Sequence, residues 1–433
     1  MSSRWAVSKD ADQAITAQRK RQKEGKRRAR EQKQKETAEQ QEQQAQRSIE
    51  PPTKRRRTEA TSLEGASLLP QTNPSFGQSR GLELYDILNN IEEGSYGFVS
   101  RARENPTGEI VALKRLKIEH GNNEGFPVTG LREIQTLRVC SHPHIVHLRE
   151  VVVGPGPMQD VYLVMDFLEH DLKALLEDMD EPFSSSETKT LMLQISSATE
   201  YLHKNWILHR DLKTSNLLLN NRGEIKIADF GMARYTASPP PRLTQLVVTL
   251  WYRAPELLLG AEEYGFEIDI WSMGCIFSEL LTREPILQGK NEVGQLSAIF
   301  SLLGIPTPAT WPAFKSLPNS KALYPLLGTT RNLTSQLNSS KYPDLTEAGI
   351  QLLASMLTLN PEGRPSASEI LSHPYFREDP RPKPKQMFPT FPSKAGQEKR
   401  RRRATPRAPN RGEAPRLPAE DFTSIFAGHD SKH

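Results

Sequence analysis

The chain has 433 residues, an apolar fraction of 36% and 33 prolines. Ordinary globular proteins have about 45–50% apolar residues, so this composition predicts that part of the chain stays outside a folded core. The net charge of +5 is unevenly distributed. Residues 1–82 carry 18 Lys and Arg against 10 Asp and Glu, residues 379–433 carry 13 against 6, and residues 83–378 carry 26 against 36. The charge pattern indicates an acidic globular domain between two basic tails.

Several protein classes are excluded by simple counts. Two cysteines, Cys140 and Cys275, are too few for a disulfide scaffold or a cysteine-rich zinc module, and they fit a reducing compartment. No apolar run approaches the roughly 18 residues that cross a bilayer. The polar N-terminus also lacks the apolar stretch of a secretory signal. We therefore expect a soluble intracellular protein without a membrane partner.

Both tails have compositions that oppose independent folding. Residues 13–47 consist almost wholly of Gln, Glu, Lys, Arg and Ala without an apolar stripe, and the C-terminal tail is rich in Pro and Arg. Each tail contains a dense basic cluster, at residues 54–57 and 399–403. Such clusters are typical of nuclear import signals bound by an import receptor, of solvated linkers or of weak nucleic-acid contacts, although no aromatic residues are interleaved for base stacking. We expect the protein in the nucleus, or in both nucleus and cytoplasm.

Between the tails, the hydrophobic period changes from that of strands to that of helices. Residues 85–118 alternate like strands with glycine punctuation, 129–139 are helical, and 145–153 and 160–167 are short β-branched runs. Longer helical patterns follow at residues 186–204, 268–282, 292–303 and 346–358. This order predicts an α+β fold with a β-rich lobe at about 83–167, a larger α-helical lobe at about 169–378, a disordered tail at 1–82 and a mostly disordered tail at 379–433.

A glycine-rich stretch lies in the first strand pair of the predicted sheet. Gly94 and Gly97 would let backbone N–H groups approach the phosphates of a nucleotide, although a plain β-hairpin turn explains two glycines as well. Lys114 ends the next strand-like run, where a lysine beside apolar residues either meets an anion or turns to solvent. Phosphate oxygens together with Glu133 of the following helix would provide that anion.

The decisive pattern is the string His-Arg-Asp at 209–211 with Asn216 five residues beyond the aspartate, followed by Asp-Phe-Gly at 229–231. Phosphoryl transfer needs a carboxylate that orients the attacking hydroxyl and accepts its proton, and oxygen ligands for Mg²⁺ beside the phosphates of ATP. Asp211 fits the first task, and Asn216 and Asp229 fit the second. A chance match to both motifs is on the order of 10⁻⁵.

With these motifs, about two-thirds of the chain resembles a eukaryotic protein kinase, and Lys213 resembles the serine/threonine branch. The resemblance implies that Lys114 holds the α- and β-phosphates and pairs with Glu133, and that Lys213 contacts the γ-phosphate. It also implies that adenine contacts the backbone of Asp166 and Leu168. The remaining implied nucleotide contacts are Ile91, Glu92, Glu93, Gly94, Ser95, Tyr96, Gly97, Phe98, Val99, Ala112 and Leu218. Further implied contacts are those of Glu256 with Arg364 and of Asp269 with the catalytic loop.

A subfamily is indicated by residues 127–133, which are similar to the PITSLRE signature of cyclin-dependent kinases in the CMGC group. Residues 247–256, and the tail segments 377–380 and 387–392, are similar to the same type. The signature implies a cyclin-docking surface made by Pro127, Val128, Thr129, Gly130, Leu131, Arg132 and Glu133. The implied partner is an L-type cyclin, and the segment 247–256 implies a pocket for a proline after the phosphorylated residue.

Candidate regulatory residues follow from the same resemblance. Thr244 lies five residues before Thr249, at the position where cyclin-dependent kinases are activated by phosphorylation. A solvated loop threonine is the alternative. The arginines that would bind its phosphate are Arg132, Arg210 and Arg234. Ser95 and Tyr96 are candidate inhibitory sites, or else residues that fill and pack the hairpin.

The sequence therefore predicts a cyclin-dependent serine/threonine kinase that uses ATP and Mg²⁺ to phosphorylate Ser/Thr-Pro sites of nuclear proteins. The resemblance alone implies work in transcription, pre-mRNA splicing and cell-cycle control. Two alternatives remain open: a pseudokinase scaffold, and a kinase tethered to nucleic acid by its basic tails. Glu92, at the position of the usual first glycine, favours the scaffold, whereas intact Lys114, Asp211, Asn216 and Asp229 oppose it.

Overall fold

The computed structural model describes residues 79–93, 97–116, 126–155, 160–244, 249–320 and 337–392, which all belong to one structural unit. An antiparallel sheet with one helix is followed by a mainly helical lobe that contains two small sheets. The predicted α+β fold, with its β-rich first lobe, is thereby confirmed. Within these residues, none of the helices combines the length and the apolar character that crossing a bilayer requires.

The first lobe is built on five antiparallel strands in the order β1-β2-β3-β5-β4. Its elements are β1 Tyr85–Glu93, β2 Gly97–Glu104, β3 Ile110–Leu116, α1 Val128–Val139, β4 Leu148–Val153 and β5 Val161–Asp166, after a 3-10 turn at Leu82–Leu84. Val111 and Val164 fill a small core on one face of the sheet. On the other face, Leu163 joins a larger core that also contains residues of α1. Arg80, from the predicted N-terminal tail, pairs with Glu104 at 2.8 Å and so belongs to this lobe.

The second lobe places its longest helices around the catalytic motifs. Its helices are α2 Leu172–Asp178, α3 Ser185–Lys204, α4 Pro255–Leu258, α5 Glu267–Thr282, α6 Glu292–Leu303, α7 Glu347–Met356 and α8 Ala367–Ser372. Its short strands are β6 His170–Asp171, β7 Ile207–Leu208, β8 Leu217–Leu219, β9 Ile225–Ile227 and β10 Arg234–Tyr235, paired as β6-β8-β9 and β10-β7. Its 3-10 turns are Thr214–Asn216, Leu250–Tyr252, Pro312–Ser316, Pro361–Gly363, Pro374–Phe376 and Lys385–Met387.

Helix α5 forms the centre of the second lobe. Every residue from Ile268 to Leu280 is buried, as expected for a helix that is apolar on all sides. Two buried carboxylates interrupt this apolar surface, Asp269 in the first turn and Glu279 near the last. Because buried carboxylates require hydrogen-bond donors, their positions show where α5 supports polar segments of the chain.

The packed structure continues beyond the predicted domain end at residue 378. The buried Lys189 Nζ donates hydrogen bonds to the carbonyl oxygens of Glu378 at 3.0 Å and Pro380 at 2.9 Å. Phe388 is buried against Gly223, whose φ of 72° suits glycine and where a Cβ would lie 2.8 Å from the phenylalanine. Residues 379–392, the start of the tail that is expected to be mostly disordered, are therefore packed on the second lobe, where backbone hydrogen bonds and one aromatic anchor hold them without an apolar period. The basic clusters at 54–57 and 399–403 lie outside the described residues.

Candidate active site

Helix α5 holds the first residues of the predicted catalytic loop. Asp269 Oδ2 accepts a hydrogen bond from the His209 backbone N–H at 3.0 Å, and Oδ1 accepts one from the Arg210 N–H at 2.9 Å. These bonds fix Arg210 at a φ of 65°, which is strained for a residue other than glycine. Burial opposes the charge of Asp269, but hydrogen bonds and nearby charge, including those of His203, outweigh it and lower its pKa. The loop is thus attached to an ionised, buried carboxylate.

The His209 side chain connects this loop with the Asp-Phe-Gly segment. Its Nδ1 accepts a hydrogen bond from the Asp211 N–H at 3.2 Å, so Nε2 carries the proton that it donates to the Ala228 carbonyl oxygen at 3.2 Å. Its ring lies edge-on to Phe230, with centroids 4.9 Å apart. Complete burial lowers the pKa of His209 and favours this neutral ring. The two motifs therefore form one connected unit.

The Asp211 carboxylate is surrounded by donors on both oxygens. Lys213 Nζ lies 2.7 Å from Oδ2, and Asn216 Nδ2 lies 3.1 Å from the same oxygen. Thr249 donates to Oδ1 through its hydroxyl at 3.1 Å and its backbone N–H at 3.2 Å. Because donors approach from two separate segments, the carboxylate orientation is fixed. This arrangement suits a base that orients an attacking hydroxyl.

A buried cation lies between two carboxylates on the sheet side of the site. Lys114 Nζ is 2.7 Å from Glu133 Oε1 and 2.9 Å from Asp229 Oδ1. Burial disfavours the charge of Lys114, but the carboxylates of Asp229 and Glu133 outweigh it and raise its pKa above the ordinary value. Burial would also raise the pKa of Asp229, but Lys114 lowers it instead. The lysine is thus held as a cation at the junction of β3, α1 and the Asp-Phe-Gly segment.

Asn216 and Asp229 have the donor chemistry that a hard divalent cation requires. Asn216 Nδ2 donates a hydrogen bond to the Asp211 carbonyl oxygen at 2.8 Å. The amide oxygen of Asn216 is therefore the acceptor end of this side chain. The Asp229 carboxylate has a lowered pKa and therefore remains ionised at neutral pH. The described residues contain no cluster of three or more His, Cys, Asp and Glu side chains that could hold a metal. Two oxygen donors without a complete protein cage fit Mg²⁺, which usually retains water and phosphate ligands.

Three of the predicted nucleotide contacts, Val99, Ala112 and Lys114, share one face of the five-stranded sheet. Val99 pairs with Lys114 across β2 and β3, and Ala112 lies two residues before Lys114 on β3. Cross-strand partners and residues two apart point to the same side. Ile91 in β1 and Leu218 in β8 are partly buried, and Phe98 is exposed on the opposite side of β2.

Gly97 has a packing role in the glycine-rich hairpin. A Cβ at this position would lie 2.1 Å from the carbonyl oxygen of Arg115 on β3, so the close approach of β2 and β3 requires glycine. The backbone of Glu92 and Glu93 ends β1. The residues between the strands, Gly94, Ser95 and Tyr96, lie outside the described residues, so the inhibitory role of the last two stays a prediction.

The segment after β5 connects the two lobes. Asp166 ends β5, and its carboxylate contacts Lys226 at 2.7 Å and Arg149 at 3.2 Å. Burial would raise the pKa of Asp166, but these two cations lower it. Leu168 is buried two residues later. The Asp166 end of the segment predicted to contact adenine is thus anchored by ion pairs to one residue of each lobe, Arg149 and Lys226.

The predicted cyclin-docking residues begin helix α1. Pro127 is the N-cap, Arg132 is exposed, and Val128 and Leu131 are 56% and 53% exposed. Thr129 is partly buried and Glu133 is buried. Gly130 is buried, and a Cβ added at this position would lie only 3.0 Å from Leu116 Cδ1. Glycine therefore lets the first turn of α1 pack closely against β3. Helix α1 thus exposes two apolar side chains, Val128 and Leu131, and carries Glu133 on its inner side.

Thr244 lies beside one of its three predicted arginines. Arg210 Nη1 donates to Thr244 Oγ1 at 3.3 Å and to the Tyr264 hydroxyl at 2.8 Å. Within the described chain, the buried Arg210 Nη2 has no hydrogen-bond partner. Arg234 lies in β10, and its Nη1 donates to a backbone carbonyl oxygen, while Arg132 is exposed on α1. The structure therefore brings Arg210 to Thr244.

The sequence did not predict the contact between Thr249 and Asp211, but it did predict the contact between Glu256 and Arg364. Thr249 received no role, although its hydroxyl touches Asp211 and also accepts from Lys213 Nζ at 3.0 Å. Its only signal was its place in the segment 247–256. The implied pairing of Glu256 with Arg364 is present as a buried, two-bond contact at 2.6 and 2.7 Å.

Comparison with known proteins gives one family model and a set of similar kinases. The model of the protein kinase domain matches residues 85–376. Serine/threonine-protein kinase ppk23 of Schizosaccharomyces pombe is 51% identical over 341 residues, which cover 78% of this chain and 84% of that protein. Cyclin-dependent kinase 11B of Mus musculus is 48% identical over 348 residues, 79% of this chain and 43% of that protein. Cyclin-dependent kinase G1 of Arabidopsis thaliana is 50% identical over 334 residues, which cover 76% of this chain and 54% of that protein. The chain thus spans most of the yeast relative but about half of the other two.

Proposed function

The chain belongs to the protein kinase family and, within it, to the PITSLRE-type cyclin-dependent serine/threonine kinases, and on that premise we propose its partner, substrates and location. It is a cyclin-activated kinase that transfers the γ-phosphate of ATP to Ser/Thr-Pro sites of nuclear proteins. Its processes are transcription, pre-mRNA splicing and cell-cycle control. The observation that carries the proposal is the Asp211 carboxylate, fixed by Lys213, Asn216 and Thr249.

Each part of the site has a task in this reaction. Asp211 orients the substrate hydroxyl and accepts its proton as the oxygen attacks the γ-phosphorus. Lys213, beside Asp211, stabilises the charge on the transferred phosphoryl group, and Lys114 holds the α- and β-phosphates. Asn216 and Asp229 would hold Mg²⁺, which would supply positive charge to neutralise the phosphates. The Asp211 carboxylate and the Lys213 cation thus lie together in the catalytic loop, while Lys114 is held separately at the junction of β3, α1 and the Asp-Phe-Gly segment.

Helix α1 supports cyclin dependence because its two sides have different partners. Val128 and Leu131 expose apolar surface that a cyclin would cover. The same helix carries Glu133, whose contact with Lys114 belongs to the ATP site. A cyclin that fixes the helix therefore also fixes this ion pair. We propose that the cyclin is of the L type, as the resemblance implies.

Phosphorylation of Thr244 would complete the activation. The Arg210 guanidinium already touches the Thr244 hydroxyl and retains an N–H on Nη2 without a partner among the described residues. A phosphate would supply acceptor oxygens to such a buried guanidinium, and bidentate bonds of this kind order loops. Because Arg210 precedes Asp211, the ordered loop would act directly on the catalytic segment.

Nuclear import is the role that we propose for the basic clusters at 54–57 and 399–403. An import receptor would bind them, and nucleic acid is a weaker partner of the same charges. Replacement of both clusters by alanine should move a fluorescent fusion from the nucleus to the cytoplasm. Nuclear accumulation that persists after both replacements would contradict this proposal.

The central experiment measures phosphate transfer by the purified chain, with Thr244 phosphorylated, in the presence and absence of an L-type cyclin. Matched peptides differ only in Ser-Pro against Ser-Ala. We expect transfer only with cyclin and only to Ser-Pro, and loss of transfer in Asp211→Asn. Transfer without cyclin would contradict the proposed dependence, and equal transfer to both peptides would contradict the proline pocket. No transfer under any condition would favour the scaffold alternative.

A further inference from the structure

Three buried polar side chains meet beneath the catalytic loop. They are Thr214 in the turn Thr214–Asn216, Tyr252 in the turn Leu250–Tyr252, and Glu279 in helix α5. Their exposed fractions are 0%, 3% and 2%. We call these residues the buried triad. None of them has a part in the reaction derived above, and buried polar groups require partners.

The oxygen atoms of the buried triad form a closed ring. Thr214 Oγ1 lies 3.0 Å from Glu279 Oε1, and the Tyr252 hydroxyl oxygen lies 2.7 Å from Glu279 Oε2. The third side of the ring is the contact between Thr214 Oγ1 and the Tyr252 hydroxyl oxygen, which is 3.0 Å. All three distances are within the range of O–H···O hydrogen bonds.

The number of protons distinguishes two forms of this ring. A hydroxyl brings one proton, and an ionised carboxylate brings none. With Glu279 ionised, Thr214 and Tyr252 supply two protons for three contacts, and the threonine and tyrosine oxygens face each other without a proton. With Glu279 protonated, three protons serve three contacts, and each oxygen group donates once and accepts once. The observed closed ring therefore matches a neutral carboxylic acid.

We propose that Glu279 is protonated in the active kinase, and that the buried triad is a positioning element which loses its closed form as pH rises. The inference rests on the proposed kinase function and deepens it. The triad joins the two segments that fix the catalytic aspartate. Thr214 begins the turn that carries Asn216, and Tyr252 follows Thr249 in the other segment. Asn216 and Thr249 both donate to Asp211.

Among the three residues of the buried triad, Glu279 is the one whose pKa lies near neutral pH. Burial raises the pKa of Glu279 to about 7, against the lowering effect of the two hydroxyls. On helix α2, the charge of Lys173 lowers this pKa and that of Glu177 raises it. On the turn Leu250–Tyr252, burial raises the pKa of Tyr252 well above its ordinary value. On α5 itself, burial likewise raises the pKa of Cys275. Both of these groups therefore stay neutral.

The functional test compares kcat and KM of the cyclin-bound kinase and Glu279→Gln from pH 6 to 8. The glutamine amide donates and accepts as a protonated carboxyl does, but it does not titrate. One pH unit above its midpoint, about a tenth of a carboxylic acid remains protonated. We therefore expect the ratio of kcat in Glu279→Gln to kcat in the unmodified kinase to rise about tenfold over this range, with the KM for ATP unchanged. A ratio that stays constant would overturn the proposal.

Two threonine variants test the ring independently of Glu279. Thr214→Ser keeps the hydroxyl and should keep the loss of kcat at high pH. Thr214→Val keeps the shape without the hydroxyl, and it should lower kcat at pH 6 and leave the KM for ATP unchanged. Equal pH profiles of kcat in the serine and valine variants would contradict a role of the closed ring.

A spectroscopic test does not depend on kinase activity. The infrared difference spectrum between the unmodified protein and Glu279→Gln should show the carbonyl stretch of a buried, protonated carboxylic acid at pH 6, and this band should fade by pH 8. Replacement of the exposed Glu262 by glutamine should give no such band. A carboxylate band at pH 6 would overturn the inference even if the kinase function holds. The expected acid band would stand even if substrate or cyclin specificity proved different.

Discussion

Glu279→Gln should change how the free energy of unfolding depends on pH. The pKa of Glu279 is about 7 in the native chain, compared with an ordinary value of 4.5. Below pH 4.5 the carboxyl is protonated in both states, so its contribution to stability is complete. As pH rises from about 4.5 to about 7, the unfolded chain loses the proton and the native chain keeps it, so the native state loses stability. Above about pH 7 the loss is complete.

The size of the effect follows from the same pKa difference. A difference of about 2.5 in pKa corresponds to about 3 kcal/mol, and about 2 kcal/mol of this falls between pH 5.5 and 8. Glutamine does not titrate, so Glu279→Gln should gain about 2 kcal/mol relative to the unmodified chain over that interval. Urea unfolding at both pH values measures this difference. Glu262→Gln, at an exposed position, should show none. A difference for Glu279→Gln that is the same at both pH values would refute the reasoning.

Two further substitutions test the packing of the second lobe. Glu256→Gln breaks a two-bond contact with Arg364, whose side chain is 0% exposed, and should reduce the free energy of unfolding by about 3 kcal/mol. The ion pair that Glu262 forms is exposed and should contribute less than about 1 kcal/mol to the free energy of unfolding. If urea unfolding gave similar losses for Glu256→Gln and Glu262→Gln, burial would not decide the difference. Phe388→Ala should cost about 3 kcal/mol because the ring is buried, whereas Met387→Ala, at 64% exposure, should cost little. Equal protease resistance of the C-terminal segment in these last two variants would contradict a packed residue 388.

The sequence predicted the long helices well because their residues repeat with a helical period. The pattern at 186–204 corresponds to the helix Ser185–Lys204, and that at 292–303 to Glu292–Leu303. The contact between Lys114 and Glu133 was also predictable, since a buried cation requires an anion and the next helix offers one. Local patterns were sufficient in these cases because period and charge act over short stretches of chain.

The missed features depend on segments that are distant in the sequence. Thr249 contacts Asp211 only because the chain returns to the catalytic loop after a long excursion, and the threonine by itself resembles any loop residue. The segment 379–392 has too few apolar residues for a period, and its attachment depends on carbonyl oxygens that Lys189 contacts. No residue type indicates, in the sequence, which backbone carbonyl oxygen will accept a hydrogen bond. Such contacts become visible only when the fold brings donor and acceptor together.

Helix α5 explains why the two buried carboxylates beneath the catalytic loop differ in charge. Asp269 lies in the first turn and Glu279 near the last, and the peptide dipoles of a helix favour negative charge at its N-terminus and disfavour it at its C-terminus. Asp269 also accepts from backbone N–H groups that must donate, whereas Glu279 meets hydroxyls that both donate and accept. Burial raises the pKa of both groups, but at Asp269 the hydrogen bonds and the charge of His203 outweigh burial and lower the pKa, whereas at Glu279 burial outweighs the lowering effect of the hydroxyls. One helix thus holds the start of the catalytic loop at Asp269 with a fixed charge and supports its end at Thr214 with the proton of Glu279, so the triad makes the end at Thr214 sensitive to pH.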